Sequence, residues 1–163
     1  MIVLDPELKR NLRGVSRQAL ERFAGRARRA AGVHGKVQVL ITSNGALRML
    51  NRQFRKKDKA TDVLSFPPAP GADHSGDIAI SAEIAAQQAR SLGHTLMQEL
   101  KVLMLHGMLH LAGYDHESDK GEMARKEERL RRQLGVSAGL IQRTENTKRP
   151  ARRSPAARAK QRQ

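Results

Sequence analysis

Three of the chain's six histidines lie within eleven residues, His106 to His116, which read HGMLHLAGYDH. On a helix His106 and His110 stand one turn apart, so their imidazoles share a face. Gly113 supplies the residue type that most readily takes the left-handed conformation closing a helix. Past it the chain can turn back and bring His116 to the other two. Three converging imidazoles form a metal site with an open fourth position; zinc takes histidine nitrogen at roughly 2.0–2.1 Å. The sequence has no cysteine, so a closed cysteine site is excluded. The plain alternative is three separately satisfied histidines.

The spacing is also that of the zinc-protease motif H-E-x-x-H-x-x-G-x-x-H, with Gly107 where the protease carries its general-base glutamate. Glycine cannot accept a proton from water. The ligand types are present and the proteolytic base is missing, so the spacing leaves hydrolysis of another substrate open. Phosphodiester cleavage builds negative charge on the phosphate oxygens, and that chemistry wants a Lewis acid beside a fixed guanidinium. Arg55, in the basic cluster Arg55, Lys56, Lys57 and Lys59, is the candidate clamp, because its planar fork can hold phosphate bidentately. On the residues alone, a surface charge at a helix end is the first reading of Arg55 and the clamp the second. Ligand imidazoles usually donate their second N–H to a carboxylate or carbonyl. Asp62, Asp77 and Asp115 are candidates for that role, and each also reads as a cap or turn residue. Glu127 falls on an apolar stripe, as a boundary residue with a cationic partner or as a group behind a ligand.

These residues must be positioned by a chain of 163 residues, a length that suits one domain with a real core. Hydrophobic residues make up 39% and aromatics 2%, so that core rests on Leu, Ile, Val, Ala and Met. The net charge of +15 calls for a polyanionic partner, nucleic acid before membrane. The charge is unevenly spread: residues 143–163 carry +7 of it, leaving +8 on the rest. We therefore divide the chain into a domain over residues 1–142 and a basic tail over 143–163, expected to be disordered and available for non-specific RNA attachment. There is no apolar run of membrane-spanning length and no signal-peptide pattern. With the absence of cysteine, that sets the expectation of a cytoplasmic protein, taken as a monomer.

Periodicity supplies the elements. Ile2–Leu4 reads as a short edge strand, and Leu12–Ala31 as a helix with Val15, Ala19, Phe23 and Ala27 inward. Lys36–Thr42 alternates as a strand. Ser43 or Asn44 caps a helix whose inward stripe is Leu47, Leu50 and Phe54. Val63–Phe66 and Gly76–Ser81 are strands. Ser81 caps a helix lined by Ala85, Ala89 and Leu92. From Thr95 a helix that is apolar nearly all round, and so buried, carries His106 and His110. A last helix runs from about Asp119 to Leu134. The expected fold is α+β: a mixed sheet of about four strands packed with about five helices, the metal site at the end of a buried central helix.

With these segments laid out, the sequence resembles the YbeY family of bacterial rRNA maturation factors, metal-dependent endoribonucleases. Three blocks carry the resemblance: LNRQFRKKDKATDVLSFP (Leu50–Pro67), GDIAIS (Gly76–Ser81) and HGMLHLAGYDH, with Met123 and Glu127 also in pattern. The basic tail looks like an addition to the family length, and the loop Pro68–Ser75 is shorter than in the family. The resemblance implies a single-strand-specific, zinc-dependent endoribonuclease in maturation of the 3′ end of small-subunit rRNA and in ribosome quality control. It implies one Zn2+ on His106, His110 and His116. The residues tied to catalysis are then Arg55 and, through the metal, His106. Two rival classes stay open on the residues alone. One is a metallohydrolase of proteins, which Gly107 argues against. The other is a non-enzymatic ribosome-assembly factor with structural zinc, which would need a fourth ligand such as His94 or an aspartate.

Overall fold

The computed structural model describes residues 1–136, so the basic tail over 143–163 lies outside the described residues. A four-stranded mixed sheet has the order β1 (Ile2–Leu4), β2 (Gln38–Thr42), β4 (Asp77–Ser81), β3 (Val63–Phe66). The first two pairings are parallel and β3 runs antiparallel to β4. Five helices accompany it: α1 (Arg17–Ala31), α2 (Asn44–Arg55), α3 (Ala82–Leu92), α4 (Leu96–Leu111) and α5 (Glu122–Leu134). The α+β expectation holds, with its strand and helix numbers.

Local chemistry explains most boundaries. Ser43, Ser81 and Thr95 each accept a backbone N–H three residues on, from Ala46, Ile84 and Gln98, satisfying a donor that the first helical turn leaves free. Two helix starts fall later than periodicity places them. Ser16 accepts from the Ala19 N–H, so α1 begins at Arg17; Leu12 and Val15 sit in the turns ahead of it. Asp119 accepts from the N–H groups of Gly121 and Met123, which puts it outside α5 as an anchor for its first turn.

Two side chains expected inward point out. Phe54 and Leu92 are both exposed. Each lies in the last turn of its helix, where the axis has carried the stripe past the sheet. The inward position near the end of α2 is taken by Asn51, which is buried.

The centre of the molecule is α4. It contacts α1, α3, α5, β3 and β4, and ten consecutive interior positions from Leu100 onward are buried with one exception, Lys101. Gly107 explains how closely it lies on the sheet. A Cβ there would meet Ile78 side-chain carbons at 3.0 Å and Ser65 Oγ at 3.2 Å. That Oγ donates to the Gly107 carbonyl at 3.1 Å, so helix and strand are hydrogen-bonded where they cross.

Candidate metal centre

The C-terminal end of α4 brings His106 and His110 together, and Gly113 turns the chain back. Gly113 has φ +95°, its N–H donates to His110, and the Tyr114 N–H donates to Leu109, the paired bonds of a Schellman closure. This reversal delivers His116. One ring nitrogen from each of the three histidines lies within 4.8 Å of the others. The Nε2 atoms of His106 and His110 are 3.1 Å apart. Burial grades across the cluster: His106 is buried, His110 half-buried and His116 exposed, so the site opens to solvent on the His116 side.

The donor set fits a divalent transition ion. All three donors are imidazoles, and two have their second nitrogen engaged as a ligand imidazole requires. His106 Nδ1 is 3.1 Å from Glu127 Oε2, both groups buried. With Nδ1 committed to the carboxylate, Nε2 is the nitrogen left to face the cavity. His110 is hydrogen-bonded to the Tyr114 backbone. Its pKa is pushed down to about 4, first by burial, then by the positive charges of His106 and His116. At neutral pH it is therefore the unprotonated imidazole that a metal needs.

A cavity of about 420 Å³ lies in front of the histidines, and Arg55, Lys57, Asp62, Asp115 and Glu117 are among the residues that line it. Arg55 comes from the end of α2, 51 positions before His106, and its Nη2 donates to the Ser65 carbonyl at 3.1 Å. The guanidinium is tethered at one edge with its remaining donors free to meet an anion. The other expected partners behave differently. Asp62 accepts from Val63 N–H and Gln88, and Asp115 from Glu117 N–H and Ser118, so both are wall residues that hold loops. The backbone N–H of Glu117, then Ser118, hold the Asp115 carboxyl below the usual range. Asp77 faces away, 3.4 Å from His74 Nε2. His94 is hydrogen-bonded to buried Glu99, which takes it out of contention as a fourth ligand. Among the described residues the cluster consists of three histidines.

A family model described as Endoribonuclease YbeY matches residues 5–135. The chain belongs to this family. A YbeY endoribonuclease of Koribacter versatilis is 59% identical over 137 residues, 84% of this chain and 90% of its own length. One of Solibacter usitatus is 52% identical over 130 residues, covering 80% of this chain and 87% of the relative. A Thermotoga maritima protein whose solution structure is known aligns with a TM-score of 0.55 at 28% identity, covering 94% of this chain and 99% of its own.

Within this YbeY-family chain, two supporting residues went unnamed or unresolved at the level of sequence. Glu127 had two readings, a boundary residue with a cationic partner or a group behind a ligand; the structure sets it 3.1 Å behind the buried His106 imidazole. Asn51 had none. Its backbone carbonyl accepts from the N–H groups of Lys56 and Lys57, and its Nδ2 donates to the Lys59 carbonyl at 2.9 Å. These bonds stitch the basic loop to the end of α2, with Lys56 in the left-handed region at φ +55°. The available signal was a polar residue one turn after Leu47, on the face that should be apolar.

Proposed function

We propose that this protein is a zinc-dependent endoribonuclease acting on single-stranded RNA in rRNA maturation, at the 3′ end of small-subunit rRNA and in ribosome quality control, in the cytoplasm. The observation that carries the reading is one cavity walled by three converging imidazoles and the tethered guanidinium of Arg55. Two further facts support it: relatives named endoribonuclease cover nearly the whole domain, and the chain carries a net charge of +15. No helix among the described residues is long and apolar enough to cross a membrane.

His106, His110 and His116 would hold the ion. When bound there, it supplies Lewis-acid stabilisation of phosphate charge and lowers the pKa of water. Glu127 fixes the His106 tautomer and ring orientation from behind. Arg55 binds the phosphate that enters the cavity and stabilises the charge that grows on its oxygens as the bond breaks. Lys57, on the same wall, adds long-range attraction for the polyanion. A structural-zinc assembly factor would want a fourth protein ligand, His94 or an aspartate; His94 is held by Glu99, and the cavity aspartates Asp62 and Asp115 are engaged by their own loops.

The test is cleavage of matched single-stranded and base-paired RNAs by the wild type and His110→Ala, with metal content measured alongside. Metal-dependent internal cuts in the single strand, lost in the variant, are expected. Equal cleavage by both proteins would remove the histidine cluster from the chemistry.

A further inference from the structure

We propose that a second groove, on the open face of the sheet and walled by Phe54 and Phe66, binds a nucleobase adjoining the phosphate held by Arg55. The proposal rests on the RNA reading above and deepens it: the protein would grip a base as well as the backbone.

Aromatic residues are scarce here, with three phenylalanines and one tyrosine in the whole chain. Two of the phenylalanines meet at this groove. Phe54 and Phe66 have ring centroids 5.4 Å apart at 67°, an edge-to-face contact. Phe54 nonetheless remains 61% exposed. A large aromatic ring open to solvent is a stacking platform, and every base offers it a π-face. The groove has a volume of about 830 Å³. That lies within the size range of small-ligand sites, roughly 300–1,000 Å³. Gln38, His74 and Asp77 stand on its border and offer hydrogen-bonding groups to the edge of a stacked base.

Its position ties it to the histidine cavity. Arg55 and Ser65 line both, so the two spaces adjoin across one guanidinium. A phosphate on Arg55 therefore has the metal cluster on one side and the phenylalanine platform on the other. Charge selects the occupant. Of the two acids in the loop beside the groove, Asp58 is paired with Arg48 through hydrogen bonds of 2.7 and 3.1 Å, and Asp62 is turned to the Val63 N–H and Gln88. Arg55, Lys56, Lys57 and Lys59 are left as an uncompensated cationic cluster. That favours a polyanion carrying flat apolar groups, which is single-stranded nucleic acid, over an apolar protein helix.

The test uses the metal-loaded full chain and oligodeoxyadenylate, which an endoribonuclease does not cut, with an abasic oligomer of equal length as the control. Wild type should bind the base-bearing strand roughly 5- to 100-fold more tightly than the abasic one, the range expected for a stacked base. Phe54→Ala should bring that ratio close to one while leaving abasic binding unchanged. The chain contains no tryptophan, so Phe54→Trp installs a single indole reporter. Oligodeoxyadenylate should quench it, the abasic strand should not, and the base preference should survive. An unchanged preference in Phe54→Ala, equal losses on both strands, or an indole indifferent to bases would overturn the proposal. RNA cleavage by the wild type is scored separately: its absence would sink the endoribonuclease reading and leave the groove result standing.

Discussion

At the scale of single residues, two side chains from different parts of the chain set the character of the cavity. Arg55 holds the Ser65 carbonyl with one nitrogen and faces the histidine cavity with the rest of its fork. Lysine keeps the charge but has no second prong, so Arg55→Lys should not rescue Arg55→Ala. Removing a preorganised donor to developing charge typically costs about 10²–10³ in rate. Both variants should lose single-turnover cleavage by factors of that order with metal content unchanged; near wild-type cleavage by Arg55→Ala would reduce it to a surface cation. Glu127 acts at one remove, through His106. Glu127→Gln keeps the size and an acceptor oxygen but loses the charge that raises the basicity of the imidazole. Metal affinity should fall about 10- to 100-fold, read by competition with a chelator of known strength. Unaltered affinity would show that packing alone orients the ring.

At the scale of elements, the crossing of α4 over β3 and β4 decides how the cluster is presented. The second position of the histidine motif lies against the sheet, because Gly107 faces Ile78 and Ser65. The missing protease glutamate thus has a packing reason as well as a chemical consequence. Alanine at 107 gains helix propensity of about 1 kcal/mol over glycine. Its methyl group would press on Ile78, which is buried in the core, and overpacking costs typically about 1–3 kcal/mol. The clash should win narrowly, and Gly107→Ala should lower the thermal midpoint by a few degrees. Gly107→Glu would drive a carboxylate into the same contact and should fail to fold. A stable, soluble Gly107→Glu protein would mean that α4 can lift off the sheet.

At the scale of the whole molecule, the charge and the titration of the cluster govern behaviour in solution. Residues 143–163 carry +7 of the +15. If they contact RNA, deleting them should flatten the dependence of log affinity on log salt, since each neutralised phosphate contributes about 0.9 to that slope on a duplex and about 0.7 on a single strand. An unaltered slope would make the tail a solvated end. The pH response of the metal-stripped protein follows from His110. Folded, it gives up its proton at about 4, against an ordinary value of 6.5 in the unfolded chain. Between those values the unfolded state binds more protons, so the contribution of His110 is fully present above pH 6.5 and is lost as pH falls towards 4. Denaturation midpoints at pH 7 and pH 4.5 should therefore differ less in His110→Gln than in the parent, and an equal drop would assign the effect to other groups.

What the sequence determined by itself is what neighbours along the chain can enforce. The helical turn between His106 and His110, the left-handed closure at Gly113, the cap at Ser81 and the helix start at Ser43 or Asn44 all span a few residues. So does the alternation that marks β2. Only the tertiary structure decided which distant groups meet. It paired Glu127 with His106 across 21 positions, and it turned Asp77 away from the cluster. It also set Arg55 on the wall of the histidine cavity and left Phe54 in the open beside Phe66. The physical reason is that periodicity reports how much of a face is covered, while partners are chosen by where two elements cross. Those crossings depend on packing of the whole core, α4 against the sheet above all, and no local pattern encodes them.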